Sequence, residues 1–373
     1  LGRTFHETLD AHKAFATKEQ PERFLHIIYW LGKLAVEEET SGNKRTITFS
    51  PILRERLGHH IHGEIWANTI KKTLKDKNLL KRPLHIISAN MHSVMNSVYA
   101  MRVLKDDFDG NAEELVIYEA LSKAGNERLR DKVRAFAEEN GMISLDDASG
   151  TNIDVQLFDT AKIELNGTGF TIDRSLPEAE KPVLLVMDYA FGEQAYETID
   201  ELLKPYKESK DKSHHLNVIS VSIMGKAGIL CGKKGDIMIP TAHIFEGTAD
   251  NYPFKNELSK EDFGGNGLSV YEGSMFTVLG TSLQNKDILE FFYKSTWNTI
   301  GIEMEGAHYQ KAIQSASRIR KSISENVKVR YAYYASDNPL ETGSTLASGG
   351  LGVTGVKPTY LITKKILEQV FNS

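Results

Sequence analysis

The sequence predicts an α/β protein: a three-layer α/β/α domain built on a central mixed sheet, preceded by a helical N-terminal domain. Three observations lead there. Short continuous apolar runs bounded by small residues recur from residue 84 onward, the pattern of strands covered on both faces. Segments with apolar residues at three-and-four spacing alternate with those runs, which places helices between the strands. A stretch of alternating apolar and polar residues around an Asn-Gly pair then adds antiparallel members to the sheet. The expected division is an accessory helical domain over residues 1–82 and a larger domain over residues 83–373.

The elements follow in order. Phe24, Ile27, Ile28, Leu31 and Leu34 recur at helical spacing, with Pro21 suited to the first turn. Lys71 to Arg82 is basic and polar and ends just before Pro83, which suits a domain boundary or a helix end followed by a turn. Leu84 to Ala89 is a buried strand candidate that feeds a helix from Val94 to Leu104. Helices are expected over Ala112 to Lys123 and Glu127 to Glu139, the second stopped by Asn140-Gly141. Ile153 to Phe158, Lys162 to Leu165 and Phe170 to Asp173 alternate in polarity, and Asn166-Gly167 marks a hairpin. Val183 to Met187 is a continuous apolar strand, followed by Gly192 and a helix to Leu203. Val218 to Ile223 and Lys328 to Ala335 are further strands, with Ile237 to Ile239 and Phe276 to Leu279 between them. No internal repeat or low-complexity tract is present.

Composition narrows the function classes. The 373 residues are 40% hydrophobic and 25% charged, enough to bury a sizeable core. A formal net charge of -5 argues against a sequence-independent grip on nucleic acid, which needs clustered basic surface. The single cysteine, Cys231, excludes an internal disulfide, fits a reducing compartment and reads as a small buried hydrophobe. No apolar run approaches the ~18 residues of a spanning helix, so no membrane partner is expected. The N-terminus carries no charged-then-apolar secretion signal. The expected location is the cytoplasm.

Two segments concentrate the chemistry. Ile302-Glu303-Met304-Glu305-Gly306-Ala307 places a carboxylate where a helix begins, and Tyr334-Ala335-Ser336-Asp337-Asn338-Pro339-Leu340 places another where an apolar strand ends. Two acids on different elements suit a reaction that builds positive charge on a sugar while a proton goes to the leaving group, as in cleavage of an N-glycosidic bond. Gly225-Lys226-Ala227-Gly228-Ile229-Leu230 follows a buried strand, and Gly235-Asp236 leads into the next. Glycines at a strand end let backbone N–H groups approach a ligand, and a lysine among them offers a charge to an anion; a tight turn with a solvated lysine is the alternative.

Taken together, these segments resemble the nucleoside phosphorylase and nucleosidase superfamily, which includes purine nucleoside phosphorylases, methylthioadenosine nucleosidases and AMP nucleosidases. The resemblance runs over residues 84–373. Ile86-Ile87-Ser88-Ala89 is similar to the family's first strand, and Tyr189-Ala190-Phe191-Gly192-Glu193-Gln194-Ala195 to its strand-to-helix glycine turn. The resemblance implies a phosphorylase/hydrolase-like sheet. It also implies that Glu305 accepts hydrogen bonds from ribose hydroxyls, that Met304 packs beneath the sugar, that Asp337 protonates the purine, and that Ser336 orients Asp337. Gly225, Lys226 and Gly228 fall in the family's substrate-binding glycine loop. A homo-oligomer is implied as well; no cofactor and no metal are expected.

Departures from the family pattern choose among reactions. Where phosphorylases of this family present an arginine and a hydroxyl residue to inorganic phosphate, this chain has Ile223 and Lys226. Without the guanidinium the best bidentate phosphate partner is gone, which favours hydrolysis. An apolar residue before the glycine and the sequence Asn338-Pro339-Leu340 match AMP nucleosidases. The partner expected is therefore a small purine nucleoside or nucleotide, with Lys226 available to a 5′-phosphate. Phosphorolysis with inorganic phosphate and a non-catalytic nucleoside-binding protein are the alternatives. Methylthioadenosine nucleosidases carry a glutamate near the start of the first helix to activate water. Here that region reads Asn90-Met91-His92-Ser93, so His92 becomes the candidate for positioning the water, against a purely structural role.

Three further motifs are set aside. Gly350 to Gly355 has dinucleotide-loop spacing but leaves no room for the following acidic residue, and reads as a loop over the site with Pro358 opening the final helix. His59-His60-Ile61-His62 with Glu64 fits no zinc spacing. His214-His215 reads as a solvated loop.

Overall fold

The computed structural model describes residues 5–42, 60–108, 113–165, 168–171, 173–246, 248, 250–279, 286–341 and 352–372. The chain divides into two compact units with the break between residues 59 and 60. The described part of the first unit is two helices, α1 (Phe5–Phe15) and α2 (Arg23–Ser41). They meet through Phe24, whose ring lies 5.6 Å from that of Phe15.

The second unit begins with α3 (His60–Asp76), earlier than the boundary expected at residue 82. The basic stretch that suggests a boundary hides the reason. Trp66, Ala67, Ile70 and Leu74 of α3 are buried in the core of the second unit, and its Lys71 points inward to the Glu201 carbonyl at 2.6 Å. Then follow β1 (Leu84–Ser88), α4 (Met91–Leu104), α5 (Glu114–Ser122), α6 (Glu127–Glu139), β2 (Met142–Leu145), β3 (Val155–Asp159), β4 (Val183–Met187) and α7 (Gln194–Leu202). A short ribbon, β5 (Tyr206–Ser209) and β6 (Lys212–His214), precedes β7 (Val218–Ile229), β8 (Ile237–Phe245), β9 (Asn251–Pro253) and β10 (Val270–Thr277). The chain closes with α8 (Lys286–Lys294), β11 (Thr299–Glu303), α9 (Gly306–Gln314), β12 (Lys328–Asp337) and α10 (Val356–Phe371).

The expected mixed sheet is present, in the order β11-β10-β8-β12-β7-β1-β4-β3-β2. Strands β1, β4, β7 and β12 run parallel, while β3 is antiparallel to both β2 and β4. Its far end does not stay open. Strand β11 returns to pair antiparallel with β7, so β7, β12, β8, β10 and β11 form a closed ring of five strands.

Side chains alternate along the buried strands between two apolar clusters. Val183, Leu185 and Met187 join one with Ile70 of α3, Ile199 of α7 and Ile313 of α9. Leu184 and Val186 join the other with Val98 of α4, Val133 of α6 and Ile366 of α10. Each such side chain contributes about 1.5–3 kcal/mol by leaving water.

Other local expectations are corrected. Lys162 to Leu165 is turn and irregular backbone, not a strand, and Asn166-Gly167 lies outside the described residues. The alternation there reports the burial of Ile163 and Leu165 in the second cluster without a ladder partner. Gly225 to Ile229 is the continuation of β7, not a loop. His214 belongs to β6 and its Nε2 lies 2.9 Å from Glu208, while His215 Nδ1 lies 3.1 Å from the Ser322 carbonyl, so neither is merely solvated. Cys231 is half-buried. Of the glycine-spaced motif near the C-terminus, Gly352 to Gly355 forms a helical turn that runs directly into α10, and Gly350 and Leu351 lie outside the described residues. Among the described residues no helix is long and apolar enough to cross a membrane.

Candidate functional site

The junction of β11 and α9 is built around a buried acid. Glu303 ends the strand, and its carboxylate turns back to accept the backbone N–H groups of Glu305, at 2.5 Å, and of Gly306. It also accepts the Thr277 hydroxyl, and the Nδ1 of His243 lies 3.5 Å away. Free N–H groups at a helix start attract negative charge, so Glu303 satisfies α9 from inside the protein. Burial alone would push its pKa up, but His243, Thr277 and the Gly306 N–H hold it below the usual carboxylate range. Gly306 is demanded by this arrangement. A Cβ there would overlap Cε1 and Nδ1 of His243 and stand 2.8 Å from Glu303 Oε1.

Two residues on, Glu305 is 5% exposed. One carboxylate oxygen accepts the Gly192 N–H at 3.1 Å and the other the Met304 N–H at 3.3 Å. Burial and the charge of Glu303 push its pKa up to about 7, against the pull of those two N–H groups and the nearby Tyr189 hydroxyl. Each oxygen keeps a lone pair for a further donor.

Asp337 ends β12 and is equally buried. Its Oδ1 accepts the Ser336 hydroxyl at 2.5 Å, and its Oδ2 is buried with no hydrogen-bond partner among the described residues. Burial pushes its pKa up, opposed by Ser336 and the charges of Lys226 and Lys234. Burial thus shifts the balance of this carboxyl toward its protonated form and leaves one oxygen free of a partner among the described residues. Gly228 of β7 is the register partner of Ile302 on β11 and of Asp337 on β12.

The remaining sequence candidates divide between two hollows. Lys226, exposed and opposite Tyr334 in register, lines a cavity of about 720 Å³ together with Asn90, His92 and Asn96. His92 sits in the first turn of α4, its backbone N–H bonded to the Asn90 side chain at 3.0 Å, and burial lowers its pKa and keeps its ring neutral. Met304 instead lines a pocket of about 280 Å³ with Phe245, Tyr252, Val278 and His308. Glu305 and Asp337 line neither hollow. Ile223 is wholly buried in the first core cluster.

Gly225 is packed against Tyr189: a Cβ there would meet its ring at 2.8 Å. The missing side chain makes room for Tyr189, whose buried hydroxyl lies near Glu305. Tyr189 and His243 are the two site residues that sequence reasoning does not single out. Tyr189 opens the strand-to-helix glycine turn, but nothing local marks its ring as the neighbour of Gly225; His243 is a lone histidine on a strand, indistinguishable from a packed one. Among the described residues no group of three or more His, Cys, Asp or Glu side chains is placed to hold a metal. His62 is engaged by the Ser149 carbonyl at 2.7 Å, and His59 lies outside the described residues.

Residues 105–372 match a family model described as "Family of unknown function (DUF6909)". A search of curated proteins gives no match. Among solved structures, the chain is similar to 5'-methylthioadenosine/S-adenosyl homocysteine nucleosidase of Campylobacter jejuni, at 10% identity over 78% of this chain and 99% of that one, with a TM-score of 0.45. Futalosine hydrolase of Helicobacter pylori follows at 12% identity, 79% and 99% coverage and a TM-score of 0.44. AMP nucleosidase of Bacteroides thetaiotaomicron is similar at 14% identity, 84% and 100% coverage and a TM-score of 0.39. All three are members of the nucleoside phosphorylase and nucleosidase superfamily.

Proposed function

This chain belongs to the DUF6909 family, a family of unknown function, and from the geometry of its own residues we propose that it hydrolyses the N-glycosidic bond of a purine nucleoside or nucleotide. The observation that supports the reading is Asp337: a buried carboxyl whose pKa burial raises, with one oxygen unpaired among the described residues, at the end of a strand that shares β7 as a neighbour with β11.

In this reading Asp337 gives its proton to the base as the bond from the anomeric carbon to nitrogen breaks, and the bonding pair leaves with the base. Glu305 accepts the ribose hydroxyls and stabilises the positive charge that grows on the sugar. Met304 supplies an apolar floor. Water adds its oxygen to the anomeric carbon and passes a proton to His92, whose ring is neutral. Lys226 is assigned to a 5′-phosphate by the resemblance to AMP nucleosidases, which makes a nucleotide the favoured substrate. The reading takes the helices on either side of the sheet as the outer layers of a three-layer domain. It takes the first unit as an accessory domain and the protein as a homo-oligomer.

Lys226 also supports a second reading, in which it holds inorganic phosphate as the nucleophile. Incubation with AMP, adenosine and inosine, with and without phosphate, separates the two. Free base released without phosphate is expected, with AMP preferred and the preference lost in Lys226→Ala. Strict dependence on phosphate establishes the phosphorylase instead. Binding of nucleoside with no release of base under any condition, unchanged in Asp337→Asn, refutes both and leaves a nucleoside-binding protein.

A further inference from the structure

Glu303 and His243 have no part in the reaction just described, yet they are among the most costly groups in the protein to bury. Both side chains are fully shielded from solvent, and an isolated charge in such a place is strongly disfavoured. Nδ1 of His243 stands 3.5 Å from the Glu303 carboxylate, and neither ring nitrogen has a hydrogen-bond partner among the described residues. The His243 ring is held by aromatic neighbours, with Phe254 at 5.3 Å, Tyr331 at 4.7 Å and Tyr333 at 6.1 Å between centroids. It has little freedom to turn away.

The other end of the pair is a lock on the backbone. One Glu303 oxygen takes the N–H groups of Glu305 and Gly306, two consecutive amides, while the other takes Thr277. The peptide that carries Glu305 is thereby fixed from behind. The same carboxylate is the charged neighbour that Glu305 feels most directly after its own burial. Other groups facing the two glutamates come from each packed element: Thr277 on β10, His308 and Tyr309 on α9, Tyr331 and Tyr333 on β12, and Tyr189 in the turn before α7. Burial keeps these tyrosines and His308 neutral. Among the described residues His243 is the basic side chain in contact with Glu303.

We propose that Glu303 and His243 form a buried positioning pair for Glu305, in which His243 keeps Glu303 ionised and Glu303 fixes both the backbone and the electrostatic surroundings of the Glu305 carboxylate. The role of Glu305 toward a sugar rests on the reading above. The pair's hold on Glu305 is measurable without any substrate.

The test is a pH titration of the intact protein labelled with ¹³C-carboxyl glutamate, with signals assigned by their loss in Glu305→Gln and Glu303→Gln. In Glu303→Gln the Glu305 midpoint is expected to fall by about one pH unit or more, a tenfold change in the proton affinity of that carboxyl. In His243→Gln the Glu303 midpoint, held below the usual carboxylate range in the native protein, is expected to move upward. A Glu305 midpoint unmoved in Glu303→Gln overturns the proposal, as does Glu303 titration unchanged in His243→Gln. Should His243→Gln fail to fold, Glu303→Gln decides alone. In parallel the acid limb of kcat/KM follows Glu305 downward in Glu303→Gln. Absence of nucleosidase activity in the native protein defeats the functional reading, while the carboxyl titration still tests the pair.

Discussion

Replacing Gly306 by alanine is the most demanding single test of the β11 to α9 junction. The added Cβ overlaps two atoms of the His243 ring and lies 2.8 Å from Glu303 Oε1, where ordinary contacts are longer by most of an ångström. Relief requires the ring to move, but Phe254 and Tyr331 pack against it with centroids at 5.3 and 4.7 Å. Moving it also disturbs the 3.5 Å approach of its Nδ1 to Glu303. Overpacking costs about 1–3 kcal/mol, and breaking a buried pair about 3–5 kcal/mol when one charge is left uncompensated. Partial relaxation shares these penalties, so a loss of about 3 kcal/mol is expected. Urea unfolding followed by a probe in the second unit reads this as a lower midpoint with an unchanged slope. The companion Gly306→Ala/His243→Ala protein recovers part of the loss, because the overlapping ring is gone. A Gly306→Ala protein within about 0.5 kcal/mol of the native one refutes the packing argument, since surface changes produce that much.

Three further outcomes follow from the same geometry. Asp337→Asn keeps the shape and removes the acid; base release is expected to fall about 10²–10⁴-fold with KM little changed, and a loss smaller than about tenfold in steady-state kinetics rules out the donor role. The Glu305 carboxyl rises from the ordinary glutamate value of 4.5 to about 7 on folding, so the stability it adds is complete below 4.5 and disappears as pH climbs through 7. Glu305→Gln should therefore flatten the stability profile in that window by roughly 3 kcal/mol, and an unchanged profile by denaturant titration disproves the shift. Gly225→Ala is expected to cost about 1–3 kcal/mol through collision with Tyr189, and to cost less in a Tyr189→Ala background; strict additivity in that double-mutant cycle removes the steric explanation.

Much of the scaffold is legible in the sequence because its signals are local. Val183 to Met187 and Glu127 to Glu139 have the bounds expected from an uninterrupted apolar run and from a helix stopped by Asn140-Gly141. The stretch after Ile223 misleads for a nonlocal reason. Its glycines look like a loop, yet β12 on one side and β11 on the other hold it extended to Ile229. The boundary of the first unit falls earlier than composition suggests because basic residues on α3 mask the apolar face that packs on the core. At the site, the acids are visible as a motif, since each stands at the end of an element with a recognisable pattern. Their surroundings are not. The partner of Glu303 is His243, sixty positions earlier on another strand, and no periodicity in either segment connects them.

The return of β11 to β7 has a consequence for how the protein is made. A strand bordered on both sides offers no exposed edge for another chain to join, which removes one route to aggregation from the middle of the molecule. That protection comes late. The flank of β7 beside Asp337 is covered by β12, so a nascent chain released before residue 337 leaves β7 with an unpaired border. The contacts that close the ring join residues far apart in the chain, and such closures are slow. Fragments ending between β11 and β12 are therefore expected to aggregate rather than retain a partial activity.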